Sequence, residues 1–215
     1  GFGYVGDMAQ AFAETIVAPI TGLGRAAVAV VRVSGPRAWE VARAVCPSLP
    51  HPVVPRLAHY GRMTTGDDGL VLPFAEGGSF TGEESAELSV HGSPASVAGV
   101  LEACRRAGAR DAQPGEFTLR AFLNGRLDLT QAEAVRGLVE AQTDRQLRQA
   151  ARMRDGALSE VVRGLRDQVI GGLAAVEAST DFGEEVGALD RGVWRDRVAE
   201  MRHALAGLIA EAERQ

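Results

Sequence analysis

Lysine is absent from this sequence of 215 residues, so all 23 basic residues are arginine, and Asn124 is the only asparagine. A phosphate-binding loop of the form G-x-x-x-x-G-K-[ST] depends on its lysine, so such a loop cannot occur here. The bias is typical of a GC-rich genome, in which arginine replaces lysine and asparagine is avoided. Where asparagine is kept, we therefore expect a local requirement for it.

Cysteines, membrane segments and metal motifs are also scarce. Cys46 and Cys104 have no CxxC or Cys/His spacing, so we interpret both as small buried apolar residues. The four histidines are scattered without metal spacing, and no metal site is predicted. No apolar run approaches the roughly 20 residues that span a bilayer, and residues 1–14 do not resemble a secretory signal. We therefore expect a cytoplasmic protein that does not contact a membrane.

The net charge of −5 gives no electrostatic reason to expect tight binding of nucleic acid. The second half of the chain does carry many arginines, but acidic residues are interleaved with them. We therefore interpret them as a solvated, ion-paired surface rather than an RNA-binding stripe. The basic residues concerned are Arg136, Arg145, Arg148, Arg152, Arg154, Arg163 and Arg166, interleaved with Glu133, Glu140, Asp144, Asp155, Glu160 and Asp167.

The hydrophobic pattern changes character near residue 128 and predicts an α+β fold followed by an all-α part. Before residue 128, apolar and alternating runs predict strands over 27–34, 57–64, 70–74 and 84–90 and helices over 36–44 and 94–107. After it, only helical periodicity is present. A Thr130–Glu133 capping box predicts the start of the first helix. A long second helix follows, and a break over 179–187 precedes a third helix over 189–212.

Two charged residues lie inside predicted strands, where burial of an unpaired charge is costly. Arg32 shares its strand face with Val28, Val30 and Ser34, and Glu87 shares its own face with Ser89 and His91. One interpretation is that Arg32 and Glu87 pair with each other or reach solvent. The other is that they bind a polar ligand, such as a pterin ring, which offers donors to a carboxylate and an acceptor to a guanidinium.

Two loop sequences and one acidic cluster accompany this pair. The short loop SFTGE (79–83) contains Gly82, which allows a close approach to the backbone. The string PGEFTLRAFLNGRLDLTQAEAV (114–135) contains an Asn124-Gly125 helix end, beyond which Arg126 projects from a loop. Asp181, Glu184 and Glu185 form the acidic cluster, which we interpret as the cap of a helix N-terminus in preference to a metal site.

Taken in order and spacing, these motifs resemble the MnmE (TrmE) family of tRNA-modification GTPases. The resemblance covers residue 14 to the C-terminus and rests on ETIVAP (14–19), GLGRAAVAVVRVSGP (22–36), SFTGE, ELSVHG (87–92), the 114–135 string and VEASTDFGEE (176–185). It implies an N-terminal extension (1–13), a folate-binding and dimerisation domain (14–127) and the first part of a helical domain (128–215). The folate-binding domain would be similar to the tetrahydrofolate domain of aminomethyltransferases, and the family's G domain would be absent from this chain.

The resemblance also implies a function and a ligand set. Arg32, Glu87 and Arg126 correspond to the family's folate contacts, and the ligand would be 5-formyl-tetrahydrofolate or a related reduced folate. The full-length protein would act as a homodimer, with a flavin-dependent MnmG-type partner, on the C5 atom of the wobble uridine of tRNA. GTP, potassium and magnesium would bind only to the absent G domain, so this chain alone would be inactive.

Two other classes of protein remain open. One is a structural dimerisation module with a degenerate folate pocket, which has the same sequence pattern but no ligand. The other is a self-contained one-carbon transferase of the aminomethyltransferase type, which would need further catalytic domains and does not account for the LDLTQAEA helix.

Overall fold

A computed structural model describes residues 14–22, 24–181 and 191–213. The chain divides into two compact units, Gly1–Leu147 and Arg148–Gln215. The described strands, all in the first unit, are β1 Ile16–Pro19, β2 Val28–Ser34, β3 His59–Arg62, β4 Asp68–Phe74, β5 Ser85–His91 and β6 Arg110–Asp111. The described helices are α1 Ala38–Val45, α2 Pro94–Arg106, α3 Glu116–Leu123, α4 Leu129–Glu140, α5 Asp144–Arg154, α6 Ala157–Asp181 and α7 Arg191–Glu213.

The six strands form one mixed sheet in the order β3-β4-β5-β2-β1-β6. All neighbouring strands are antiparallel except β1 and β6. The register of β2 against β5 places Val31 opposite Leu88 and Arg32 opposite Glu87. Because side chains alternate along a strand, this register puts the two apolar residues on one face and the two charged residues on the other.

Helices α1 and α2 cover the apolar face of the sheet. Their buried residues recur at helical spacing and pack with the strand residues that point the same way. The shared core contains Val17, Val31, Val33, Val41, Val45, Val71, Ala86, Leu88, Val90, Val100 and Cys104. Both cysteines are buried as predicted, and burial raises the pKa of the Cys104 thiol to about 12.

The opposite side of the sheet, here called the open face, carries the charged pair. It includes Arg32 on β2 and Glu87 on β5. The same face exposes three large side chains, Val28, Tyr60 and Leu70. The sheet therefore buries one face against helices and presents a mixed polar and apolar surface on the other.

The predicted elements of the first unit are present, with shifted ends. The strand predicted over 57–64 is limited to His59–Arg62, and the returning strand begins at Asp68. Helix α1 begins at Ala38 rather than at 36. Helix α2 begins at Pro94, as predicted, where the Ser93 side chain caps it by accepting from the Ser96 N–H at 3.1 Å.

Two helix predictions were wrong in detail. The capping box at the start of α4 is formed by Asp128 and Gln131, whereas Thr130 lies inside the helix and its hydroxyl donates to Asp128. Asp128 and Thr130 both have side chains suited to an N-cap, so the sequence pattern alone did not show which of them begins the helix. The predicted long second helix is two helices, α5 and α6, because Gly156 between them has φ +87°, which a right-handed helix does not allow.

The second unit contains the end of α5 and helices α6 and α7. Within it, the indole ring of Trp194 lies so close to Gly172 that a Cβ there would stand 2.1 Å from the ring. Helix α6 continues through Asp181, so the start of the break predicted over 179–187 is helical. Glu184 and Glu185 of the acidic cluster lie outside the described residues. Of the helices that can be described, none is both long and apolar enough to cross a membrane.

Candidate functional site

Arg32 and Glu87 form an ion pair on the open face. Arg32 Nε and Nη2 both donate to Glu87 Oε1, at 3.1 and 2.8 Å. The side chains are 16% and 24% exposed, so each remains partly accessible to solvent. The first interpretation from sequence, that the two residues pair with each other, is therefore confirmed.

This pairing leaves one edge of each group available. Among the residues that the structure describes, no protein group hydrogen-bonds to Glu87 Oε2 or to Arg32 Nη1. A carboxylate accepts through both oxygens, and a guanidinium donates through all three nitrogens. The pair therefore leaves one carboxylate oxygen and one guanidinium nitrogen to accept from and donate to a ligand.

Two phenylalanines surround the Arg32 guanidinium. Its central carbon lies 4.9 Å from the ring centroid of Phe80 and 5.4 Å from that of Phe117, which are distances typical of cation–π contacts. Phe80 belongs to the SFTGE loop, and Phe117 lies in the first turn of α3. The ion pair is thus bordered by aromatic side chains from the two loop sequences that accompanied it in the sequence analysis.

Arg126 is placed against the SFTGE loop by the end of helix α3. The Arg126 and Gly125 N–H groups donate to Ala121 O and Phe122 O at 2.8 and 3.0 Å, the pattern of a Schellman helix end. Gly125 has the required positive φ of 68°, which confirms the predicted Asn-Gly cap. A Cβ on Gly82 would stand 2.9 Å from Arg126 Cγ, so the arginine stem passes directly over this glycine.

Asn124 has a specific task in this contact. Its side-chain amide donates to Thr81 O at 2.8 Å and so ties the end of α3 to the SFTGE loop. The expectation that the only asparagine meets a local requirement is therefore confirmed. The three residues predicted to form the site, Arg32, Glu87 and Arg126, are connected through one loop: Phe80 contacts Arg32, and Gly82 contacts Arg126.

A buried ion network beneath the loop was missed by the sequence analysis. Arg120 is only 2% exposed, and its Nη1 donates to Glu83 Oε1 at 3.0 Å while its Nη2 donates to Glu116 Oε1 at 2.9 Å. The spacing of Glu116 and Arg120 is that of a helical i, i+4 pair, which was the only available signal. That spacing does not reveal burial or a third partner from a distant loop.

Arg110 extends this network from the short strand β6. Its Nη1 and Nη2 donate to the two oxygens of Glu116 at 2.8 and 2.7 Å, which makes a bidentate pair. Burial raises the pKa of Glu116, but hydrogen bonds from Arg110, from the Gln113 N–H and from Arg120 outweigh it and bring this pKa down to about 2. Glu116 is therefore ionised near neutral pH, and its ion pairs fix α3 to the sheet.

Hydroxyl groups connect the network to strand β2. Ser34 Oγ donates to Glu83 Oε2 and contacts Thr81 Oγ1, both at 2.7 Å. Ser79 Oγ donates to Glu83 O at 2.6 Å. The SFTGE loop is thus held by buried side-chain hydrogen bonds on its inner side, while Phe80 packs against Arg32.

A second polar cluster lies at the other end of β5, where His91 contacts Asp67. The distance from His91 Nδ1 to Asp67 Oδ1 is 2.6 Å, and one oxygen from each of Asp67 and Asp68 lies within 4.8 Å of the imidazole nitrogen. Asp67 already accepts from the Ser96 hydroxyl and from the backbone N–H groups of Asp68 and His91. We interpret the cluster as a structural contact that holds the β3–β4 turn against β5 and the start of α2.

Comparison with protein families matches both parts of this fold. A model described as "GTP-binding protein TrmE N-terminus" matches residues 15–126, and one described as "MnmE helical domain" matches residues 129–215. Together they define a class of protein in which an α+β domain precedes a helical domain. The Arg32–Glu87 pair and the Arg126 loop end both lie in the first of these.

Curated relatives point to the same family. A protein of Halorhodospira halophila, named tRNA modification GTPase MnmE, is 54% identical over 175 residues, which are 80% of this chain and 37% of the relative. Proteins with this name from Caulobacter vibrioides and Phenylobacterium zucineum are 47% and 45% identical over 90% and 93% of the chain. The chain belongs to the MnmE (TrmE) family. It spans less than half the length of these three relatives.

Proposed function

We propose that the first domain binds a reduced folate, such as 5-formyl-tetrahydrofolate, at the Arg32–Glu87 pair. The observation that carries this proposal is the ion pair on the open face, in which Glu87 Oε2 and Arg32 Nη1 have no protein partner among the described residues. A pterin ring has an N3–H donor next to an O4 acceptor, with a 2-amino donor on the other side of N3. Glu87 would accept from N3–H and the 2-amino group, and Arg32 Nη1 would donate to O4.

Arg126 would complete the site from the loop after α3. Its side chain is exposed, and its stem is fixed over Gly82, so its guanidinium is free to reach an anionic or polar part of the same ligand. The rings of Phe80 and Phe117 add apolar surface beside the ion pair, as expected for a site that binds a flat heterocycle.

At the level of the whole protein, we infer a role in tRNA modification. The relatives are named tRNA modification GTPases, and the chain matches less than half of each of the three described. We propose that the full-length protein adds an aminomethyl-type group to C5 of the wobble uridine, using the folate one-carbon unit and an MnmG-type flavin-dependent partner. We further propose that it is a homodimer through its first domain, and that GTP, potassium and magnesium bind outside this chain.

Replacement of Glu87 by glutamine tests the site. The amide offers one acceptor where the ligand offers two donors, so we expect affinity for 5-formyl-tetrahydrofolate to fall by about tenfold or more, from the 1–3 kcal/mol that an unsatisfied buried polar group costs. Glu40→Gln is the matched control, because it removes the same charge from an exposed Arg–Glu pair on α1. Calorimetric titration gives both affinities, and circular dichroism verifies that each variant is folded.

The alternative function, a structural dimerisation module with a degenerate pocket, predicts a different result. Under that alternative, the unmutated chain and both variants show equally weak affinity for the folate. A folate analogue without the 2-amino group provides a second test, since the proposed site should bind it at least about tenfold more weakly. If Glu87→Gln binds reduced folate as well as the unmutated chain does, Glu87 is not the pterin anchor.

A further inference from the structure

Helix α5 carries a stripe of exposed arginines on one face. Arg145, Arg148 and Arg152 are separated by three and four residues, which places them within about 60° of each other around a helix of 3.6 residues per turn. All three are exposed, and the buried residue of this helix, Ala150, lies on the far side. The geometry of the stripe depends on this one continuous helix alone.

Among the residues that the structure describes, these three arginines have no salt bridge, unlike two arginines close to them in the sequence. Arg136 pairs with Glu140, and Arg154 pairs with Asp155, as the interleaving of acidic and basic residues predicted. Within the described part of the chain, no such partner is recorded for the three arginines of the stripe. The interpretation of the whole region as an ion-paired surface is therefore confirmed for Arg136 and Arg154. It is not confirmed for the stripe, nor for Arg163 and Arg166, which have no salt bridge among the described residues either.

The nearby acidic residues do not neutralise the stripe. Helix α5 has four arginines and a single acidic residue, Asp144. Asp144 lies one turn before Arg148 but forms no salt bridge with it, and Asp155, three residues after Arg152, is engaged by Arg154. In a chain of net charge −5, the stripe is thus a local concentration of uncompensated positive charge.

We propose that Arg145, Arg148 and Arg152 form a contact surface for the phosphate backbone of RNA. Guanidinium groups bind phosphates bidentately, and the three positions span about 10 Å along the helix at 1.5 Å per residue, so they can meet successive phosphates of one strand. The choice of RNA rests on the proposed function, since the relatives are named as tRNA-modifying proteins. Such contacts position a nucleic acid but do not read its sequence.

The test compares two triple variants of the whole 215-residue chain. Arg145→Gln/Arg148→Gln/Arg152→Gln removes the stripe, and glutamine keeps a helix propensity close to that of arginine. The control removes the same charge at three ion-paired, exposed arginines, as Arg105→Gln/Arg136→Gln/Arg154→Gln. Fluorescence anisotropy measures the binding of a labelled, unmodified tRNA transcript at several salt concentrations, and circular dichroism verifies equal helix content.

We expect the stripe variant to lose at least about tenfold in tRNA affinity, and the slope of log K against log salt concentration to fall in magnitude by about 2–3, which corresponds to three lost phosphate contacts. The control variant should change both quantities much less. Equal losses in the two variants would mean that only net charge matters and would overturn the proposal. It would also be overturned if the unmutated chain failed to bind tRNA at about 100 µM, the weak end of non-specific affinity.

Two further readouts separate this proposal from its alternatives. If the stripe binds a polyglutamate peptide and the stripe variant binds tRNA as well as the unmutated chain does, the partner is an acidic protein surface and the RNA assignment is wrong. The stripe variant should bind 5-formyl-tetrahydrofolate like the unmutated chain, because the folate site is formed by other residues. If Glu87→Gln loses folate binding but keeps tRNA binding, the folate site and the stripe are separate sites, as proposed. If Glu87→Gln binds folate normally, the proposed function is wrong at that site, but the tRNA result for the stripe still stands.

Discussion

Gly82 is a position at which any side chain would collide with a residue of the proposed site. Its φ of +82° already disfavours other residues, and a Cβ would stand 2.9 Å from Arg126 Cγ and 3.1 Å from Asn124 Cβ. The close approach of the arginine stem is thus possible only because residue 82 has no side chain. The direction in which Arg126 projects depends on this contact.

Replacement of Gly82 by alanine should therefore lower both stability and folate affinity. The left-handed backbone costs an alanine about 1–2 kcal/mol, and overpacking against Arg126 adds about 1–3 kcal/mol. Gly77→Ala is the matched control, since Gly77 lies in the adjoining turn with φ +71° and has no atom within 4 Å of its Cβ position. Urea unfolding measures the free energies, and calorimetry measures 5-formyl-tetrahydrofolate binding.

The two glycine variants should differ in a specific way. We expect Gly77→Ala to lose only the conformational contribution and to keep its folate affinity, because no site residue has to move. Gly82→Ala should lose more stability and also bind the folate more weakly. Equal folate affinity in the two folded variants would show that the placement of Arg126 over Gly82 does not matter for the ligand.

At the scale of elements, the ion network around Glu116 fixes helix α3 to the sheet. Glu116 accepts from Arg110 and Arg120, and Arg120 also donates to Glu83 in the SFTGE loop. Breaking a buried ion pair by removing one partner is costly because the remaining charge stays buried. One network therefore supports both α3, which leads to Arg126, and the loop that contacts Arg32.

This network should make the chain less stable in acid. The pKa of Glu116 in the folded protein, about 2, lies below its ordinary value of 4.5, so its contribution is complete above pH 4.5 and is lost as the pH falls from there towards 2. The difference corresponds to at most about 3 kcal/mol. We expect Glu116→Gln to be less stable at pH 7 and to lose less stability than the unmutated chain between pH 5 and pH 3.

Urea unfolding at a series of pH values measures this difference. Glu102→Gln is the control, because Glu102 pairs with Arg105 on the exposed surface of α2. The stability of every variant should still depend on pH in acid, because Asp67 also has a low pKa. Burial raises the pKa of Asp67, but hydrogen bonds from Ser96 and His91 outweigh burial and bring this pKa down to about 2. Identical pH slopes for Glu116→Gln and the unmutated chain would contradict the assigned role of Glu116.

The strands could be predicted from the sequence better than the contacts between distant segments. Alternation placed Arg32 and Glu87 on defined strand faces, and Asn124-Gly125 marked the end of α3, because these signals are local. The pairing of Arg32 with Glu87 required the register of β2 against β5, which no local pattern specifies. The contact of Arg120 with Glu83, 37 residues apart, was missed for the same reason.

Errors in the helical region also have a local cause. A single glycine in a helical pattern is usually tolerated, so Gly156 did not predict the end of α5. Asp128 and Thr130 are both suitable N-caps, and which of them begins the helix depends on where the preceding loop joins it. That Arg145, Arg148 and Arg152 have no salt bridge among the described residues could not be predicted either, because sequence spacing shows which charges are near each other but not which of them pair.

At the scale of the whole molecule, the absence of lysine leads to a clear expectation about nucleotides. All 23 basic residues are arginine, so the chain has no phosphate-binding loop of the Walker type. We predict that it does not bind GTP. Calorimetry measures this directly, with the full-length relative of Halorhodospira halophila, named as a GTPase, as the positive control. Micromolar GTP affinity in this chain would contradict the prediction.

The last prediction concerns assembly, and it distinguishes between two apolar surfaces. In the domain for which dimerisation is proposed, the open face exposes Val28, Tyr60 and Leu70. Helix α6, in the second unit, also exposes apolar residues, including Leu173 at 59%. Exposed apolar patches commonly mark surfaces that are covered in an assembly, so association through either unit has a physical basis.

Light scattering at tens of micromolar should give the mass of a dimer, and the interface should belong to the first domain. A charge at Leu70, as Leu70→Glu, should shift the mass towards the monomer, because an unpaired carboxylate in an apolar interface would be desolvated without compensation. The same change at Leu173, which is similarly exposed, should leave the dimer intact. A monomeric unmutated chain with a folded circular dichroism spectrum would refute dimerisation. A dimer that is lost in Leu173→Glu and kept in Leu70→Glu would instead place the association in the helical unit.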